Sequence, residues 1–174
     1  MEIKIDLPLT AEKLAQLHAG DTVKLSGIIY TARDAAHKRL IAALDANEPL
    51  PVELKDQTIY FAGPCPAPPG RPIGSAGPTT SGRMDAYSPR LIRECGLRGM
   101  IGKGDRNEAV KQAMQEHGAV YFAATGGAGA LIARSIVKAE VVAFDDLGPE
   151  AIYKLEVKDL PLVVAIDAKG KSLY

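Results

Sequence analysis

Two short apolar runs that empty into glycine-rich loops constrain this chain more than any other feature. Thr58-Ile-Tyr-Phe-Ala62 leads into a long Pro/Gly stretch that ends in Gly77-Pro-Thr-Thr-Ser-Gly-Arg-Met-Asp85. Arg98-Gly-Met-Ile101 leads into Gly102-Lys103-Gly104. Apolar runs of this length, bounded by glycine and proline, read as buried strands. Each is followed by a segment with helical character. Strand, loop, helix, strand is the rhythm of an α/β domain, whose loops beyond the strands carry the chemistry.

The first loop concentrates hydroxyls and one cation. Pro78 fixes its own backbone and disfavours helix just before it. Thr79, Thr80 and Ser81 are good caps for a helix that is expected to start here. A helix start presents free N–H groups and a positive dipole end to an anion. Arg83 would then lie one turn after Thr79 and look the same way. Its planar fork suits a carboxylate or phosphate. An ordinary helix start with a surface arginine is the plainer reading of these few residues, and the length of the loop before them argues against it.

The rest of the chain sets limits. With 174 residues, 47% of them hydrophobic, it can bury one sizeable core, and residues 1–174 are read as one domain. Lys plus Arg and Asp plus Glu number 21 each, so no basic excess draws it to nucleic acid or acidic lipid. No apolar run spans a bilayer, and the start, Met-Glu-Ile-Lys-Ile-Asp, is too charged for an export signal. Cys65 and Cys95 are the only cysteines. A cytoplasmic protein with free thiols is expected.

In chain order, Glu2 to Leu7 alternates as a half-buried strand, and Thr10 caps a helix over Ala11 to His18. Asp21 to Ala32 is a strand with a bulge at Gly27. Asp34 caps a helix to about Ala46 with Ala36, Leu40, Ile41 and Leu44 inward. Asp105 caps a helix to His117 with Ala109, Val110, Ala113 and Met114 inward. Ala119 to Ala124 is a strand. Gly126-Gly-Ala-Gly129 opens a helix and reads mainly as tight packing, since its spacing fits no phosphate loop. Ile136 to Phe144 and Leu160 to Asp167 are strands, with a short helix or turn over Gly148 to Tyr153 between them.

Three cations, Arg33, Arg83 and Lys103, each follow a strand, so a sheet could gather them at one edge. Such a cluster suits a dianion such as a dicarboxylate. No histidine cluster, C-x-x-C or G-x-S-x-G accompanies them. The chain carries a substrate grip without a catalytic engine.

From about Asp21 onward the chain resembles the β subunit of class I iron–sulfur fumarate hydratases. Thr31-Ala-Arg-Asp-Ala-Ala-His37, GPTTSGRMD and GKG carry the likeness, in the family's order and spacing. The same module ends single-chain members, and a relative is the β subunit of L-tartrate dehydratase. The resemblance implies a swivelling β/β/α domain with a mixed, partly parallel sheet and flanking helices. It implies reversible hydration of fumarate to L-malate, a tricarboxylic acid cycle reaction. A [4Fe-4S] cluster would sit in a partner α subunit, where an iron without a cysteine ligand acts as Lewis acid. Matched residue by residue, Arg33, Arg83 and Lys103 are substrate ligands. Thr79 is the proposed base or relay for the C3 proton, and His37 stands behind the ligands. No residue of this chain is a metal ligand in that scheme. A cubane cluster with one open iron needs three thiolates, and this chain has two cysteines in no cluster-like spacing. L-tartrate dehydration is the runner-up activity. A non-catalytic module that binds a small anion is the alternative from another class.

Overall fold

The computed structural model describes residues 2–124 and 129–174. Its strands are β1 (Glu2–Asp6), β2 (Thr22–Thr31), β3 (Thr58–Tyr60), β4 (Gly99–Gly102), β5 (Val120–Ala123), β6 (Ile136–Ala143) and β7 (Ile152–Ile166). The helices are α1 (Ala11–Ala15), α2 (Asp34–Asp45), α3 (Ser88–Cys95), α4 (Glu108–His117) and α5 (Gly129–Ser135). This is the mixed α/β class expected from the sequence.

The sheet order is β1-β2-β3-β4-β5-β7-β6, and β2 also pairs with β7. That extra pairing closes β2, β3, β4, β5 and β7 into a ring. β7 can serve both sides because it is 15 residues long. β2 pairs with it from Tyr153 to Val163, β6 pairs with its first part on the other side, and β5 pairs with its end. The expected strand over Leu160 to Asp167 is thus only the second half of β7, and Tyr153 lies in strand, not in a helix or turn. A 3₁₀ segment, Asp145–Glu150, precedes it. The bulge expected in β2 falls between Leu25 and Gly27, where Gly27 has φ +129°.

β2 to β5 pair in parallel. α2, α3 and α4 make the crossovers and share one core cluster. Alternation along the strands sorts the side chains. Ile59, Phe61, Met100 and Tyr121 join Leu40, Leu91, Val110 and Met114 of the helices. Tyr60, Ile101, Val120 and Phe122 face the other cluster, with Leu25, Ile29, Leu155 and Val164. Strands buried on both faces explain why these runs are apolar throughout.

Several local expectations needed correction. α1 starts at its Thr10 cap but ends at Ala15, short of His18. Asn107, not Asp105, caps α4 by accepting from Val110 N–H. Ala109 is consequently exposed, while Val110, Ala113 and Met114 are buried. Arg33, not Asp34, occupies the cap position of α2, and the free Ala35 N–H donates to Glu150 Oε1 at 3.1 Å. Ile41, Leu44 and Cys95 are half-buried at the rim of the helix-side cluster. Thr125 to Ala128, most of the expected Gly126–Gly129 loop, lie outside the described residues. Gly129 packs where a Cβ would come within 2.8 Å of Ser75 Oγ.

Candidate active site

Parallel strands deliver their carboxyl ends to the same edge. Thr31 aligns with Tyr60, Tyr60 with Ile101, and Ile101 with Phe122. The ladder continues one step further through Ala32 N–H to Tyr60 O, Phe61 N–H to Ile101 O, and Ala124 N–H to Gly102 O. Just past these points come Arg33, Gly63 and Lys103. A surface hollow lined by Leu44, Leu50, Val52 and Cys95 lies at the amino ends of the strands and holds none of the three cations.

The loop bearing Thr79 to Arg83 is not a helix start. Ser81–Met84 form one 3₁₀ turn, and α3 begins only at Ser88. The reason lies in the bonds that compete with helix formation. Thr79 N–H donates to Phe61 O at 2.7 Å, and Ser81 N–H donates to Lys103 O at 2.9 Å. Thr80 and Lys103 form a parallel bridge, so this loop extends the sheet. Ser81 Oγ bonds the Tyr121 hydroxyl at 2.7 Å rather than the backbone ahead of it. The expected positive helix end at Thr79 is therefore absent. The charges at this edge come from side chains.

Two of those side chains, Arg33 and Arg83, converge on one carboxylate. Arg83 Nη2 lies 2.8 Å from Asp34 Oδ2, and Arg33 Nη2 lies 3.8 Å from the same oxygen. Arg33 packs across Gly63, where a Cβ would meet its Cδ at 3.0 Å. Arg83 is half-exposed, and Lys103 is exposed beside the Thr80–Ser81 backbone. Thr79 is part-buried at the start of the same loop.

GKG needs its two glycines for different reasons. A Cβ on Gly102 would sit 1.9 Å from Ser81 Oγ, so only glycine lets the two loops touch. Gly104 has φ +85°, a left-handed conformation that turns the chain away after Lys103. Tyr121 OH donates to its carbonyl at 2.7 Å.

Beneath these loops lies a second arginine–aspartate pair. The Arg106 side chain is 0% exposed, and its Nε donates to Asp85 Oδ1 at 2.6 Å. Its Nη2 donates to Ser88 Oγ at 2.7 Å, and its guanidinium stacks 5.0 Å from Phe61 and 5.1 Å from Tyr121. Asp85 also accepts from Asn107 N–H at 2.9 Å. Burial pulls the Arg106 pKa down, and Asp85 holds it up. The pair ties the Thr79–Asp85 loop to the loop after β4.

His37 sits between the two pairs, fully buried, with its ring 5.6 Å from Phe61 and 5.7 Å from Tyr87. Its Nδ1 is 2.8 Å from Arg33 O, so Nδ1 carries the proton and donates. Burial pushes its pKa down to about 4. It acts on Arg33 only through the backbone. Asp34, Asp85 and Arg106 went unnoticed as site-builders in the sequence. The adjacency of GRMD and GKGDRN to glycine loops was the available signal, but nothing linear pairs Asp85 with Arg106.

A family model described as "Fumarase C-terminus" matches residues 1–174. The chain is 40% identical over 177 aligned residues to "Fumarate hydratase class I, anaerobic" of Escherichia coli (strain K12), covering 99% of this chain and 32% of that protein. It is 39% identical to "Fumarate hydratase 2" of Leishmania major, over 99% of this chain and 31% of that protein. It thus spans about a third of the length of these curated relatives. A Methanocaldococcus jannaschii protein provisionally named L(+)-tartrate dehydratase subunit beta is 41% identical over 95% of this chain and 88% of its own length. A chain matched end to end by one family model, with a relative this similar over most of both lengths, belongs to the fumarase C-terminus family.

Proposed function

We propose that this chain is the carboxylate-gripping β subunit, or module, of an iron–sulfur-dependent hydro-lyase that hydrates fumarate reversibly to L-malate in the cytoplasm. The observation that carries this reading is the placement of Arg33, Thr79, Arg83 and Lys103 on neighbouring loops at the carboxyl ends of adjacent parallel strands, with Arg33 and Arg83 on one carboxylate. Three cations match a substrate with two carboxylates, each charged hydrogen bond contributing ~1.5–3 kcal/mol. Hydration adds a proton at C3 and hydroxide at C2. Arg33 and Arg83 orient the carboxylates, Lys103 adds a third contact, and the Thr79 hydroxyl passes the C3 proton.

A [4Fe-4S] cluster would supply Lewis acidity at the substrate hydroxyl. Among the described residues no three His, Cys, Asp or Glu side chains are grouped to hold a metal. Cys65 is exposed and Cys95 half-buried at the end of α3. The donors among the described residues do not fit a cluster, which the proposal assigns to a partner α subunit. Dehydration of L-tartrate is the second reading, favoured by the M. jannaschii relative of similar length.

The test is a hydratase assay on this chain alone, on an anaerobically reconstituted α subunit alone, and on the pair. Turnover is expected only from the pair, and its preference between malate and tartrate separates the two readings. Malate formed by this chain alone would overturn the two-subunit proposal. Thr79→Val should abolish turnover in the pair. Full retention would favour a module that only binds the anion.

A further inference from the structure

Arg33 and Arg83 approach one another from different elements, and two guanidiniums brought together repel. Both point at a single oxygen, Asp34 Oδ2. That oxygen is covered by protein and makes no hydrogen bond of good geometry, so its interaction with the arginines is an ion pair. Asp34 stands in the first turn of α2, the turn that Arg33 O, His37 and Glu150 also hold in place. Its backbone is thus fixed by contacts independent of the two guanidiniums. Arg83, by contrast, hangs from a 3₁₀ turn and is 54% exposed, with Asp34 as its ion-pair partner among the described residues.

From this arrangement we infer that Asp34 is a positioning residue for the carboxylate grip. Its charge allows the two arginines to converge and sets where Arg83 Nε and Nη1 are presented. The inference rests on the reading of Arg33 and Arg83 as carboxylate ligands, but its central claim concerns the arginines themselves. Asp34 is not offered as an acid, a base or a substrate contact. Removing its charge while keeping its shape frees Arg83 and leaves the arginines to repel.

The experiment uses Asp34→Asn and Asp34→Glu. First, the chain by itself is treated with phenylglyoxal, and modification of Arg33 and Arg83 is followed by peptide mapping, with exposed Arg71 as internal standard. Arg83 should react about threefold or more faster in Asp34→Asn, and Asp34→Glu should restore much of the protection. Equal rates in folded wild type and Asp34→Asn, judged by circular dichroism, would overturn the inference whatever the chain catalyses. Second, in the assembled enzyme, Asp34→Asn should raise KM for the dicarboxylate about tenfold or more, with a smaller effect on kcat. An unchanged KM would also overturn it. If wild-type pairs show no hydro-lyase turnover, the functional proposal fails while the labelling result still decides the role of Asp34. If Asp34→Asn does not fold, the charge-keeping Asp34→Glu decides: labelling of Arg83 as fast as that of Arg71 would refute the ion-pair role, and continued protection would support it.

Discussion

The two arginine–aspartate pairs at the carboxyl edge of the sheet use the same chemistry in opposite settings. Arg106 and Asp85 are 0% and 13% exposed, while Arg83 and Asp34 are 54% and 30% exposed. The buried pair is saturated: Asp85 accepts from Arg106 and Asn107, and Arg106 also reaches Ser88 and two aromatic rings. It holds two loops together and offers nothing to a ligand. The open pair leaves donors facing solvent, where an incoming carboxylate can use them. What separates scaffold from grip here is desolvation, not residue type. Breaking a buried pair strands a charge, whereas an exposed pair contributes little to stability.

The largest effect should come from Arg106→Met. It leaves Asp85 part-buried beside Ser88 without its counter-charge, and ~3–5 kcal/mol of unfolding free energy should be lost. Urea denaturation measures this. A loss below ~1 kcal/mol would erase the distinction between the pairs.

His37, lying between the pairs, gives the comparison a pH axis. Its folded pKa of about 4 lies below the ordinary 6.5. Between those values the unfolded chain binds more protons, so stability falls as pH drops through the window and the loss levels off below about 4. The shift corresponds to roughly 3 kcal/mol at most. His37→Phe, which fills the space between Phe61 and Tyr87, should show a shallower acid slope in thermal midpoint. Parallel slopes would show that His37 is not a source of the acid sensitivity.

Arg83→Lys keeps the charge of the open pair and loses the fork. In the assembled enzyme kcat/KM should fall about 10–100-fold, with unfolding free energy unchanged within ~0.5 kcal/mol. Arg106→Met and Arg83→Lys thus move opposite observables, and any crossover would blur scaffold and grip. The smallest effect is expected from Cys65→Ser combined with Cys95→Ser. Paired with the proposed cluster-bearing α subunit, the double variant should match the wild-type pair in cluster absorbance and turnover, apart from a minor packing loss at Cys95. A bleached but folded assembly would make one of them a ligand.

Much of this was legible in one dimension. Ile59–Ala62 and Gly99–Ile101 carry no charged residue because both faces of their strands are buried. Their following loops are expected at one edge of a partly parallel sheet, which could gather Arg33, Arg83 and Lys103. The helix expected at Thr79 was misplaced for a physical reason. Ser and Thr cap helices only when nothing else claims their bonds, and here Phe61 O, Lys103 O and Tyr121 claim them. Asp105 lost its cap to Asn107 in a similar way, with Asp105 Oδ1 accepting from Arg106 N–H instead.

By itself, then, the amino-acid sequence determined the alternation of strand and helix, the glycine loops and the cations they carry. These are local consequences of periodicity and backbone sterics. Only the tertiary structure decided that β7 closes the ring, that Asp34 gathers two arginines, and that Arg106 vanishes beneath them while Arg83 stays open. Those outcomes depend on residues 21 to over 100 positions apart meeting and losing water together, and no local pattern encodes which charge ends up dry.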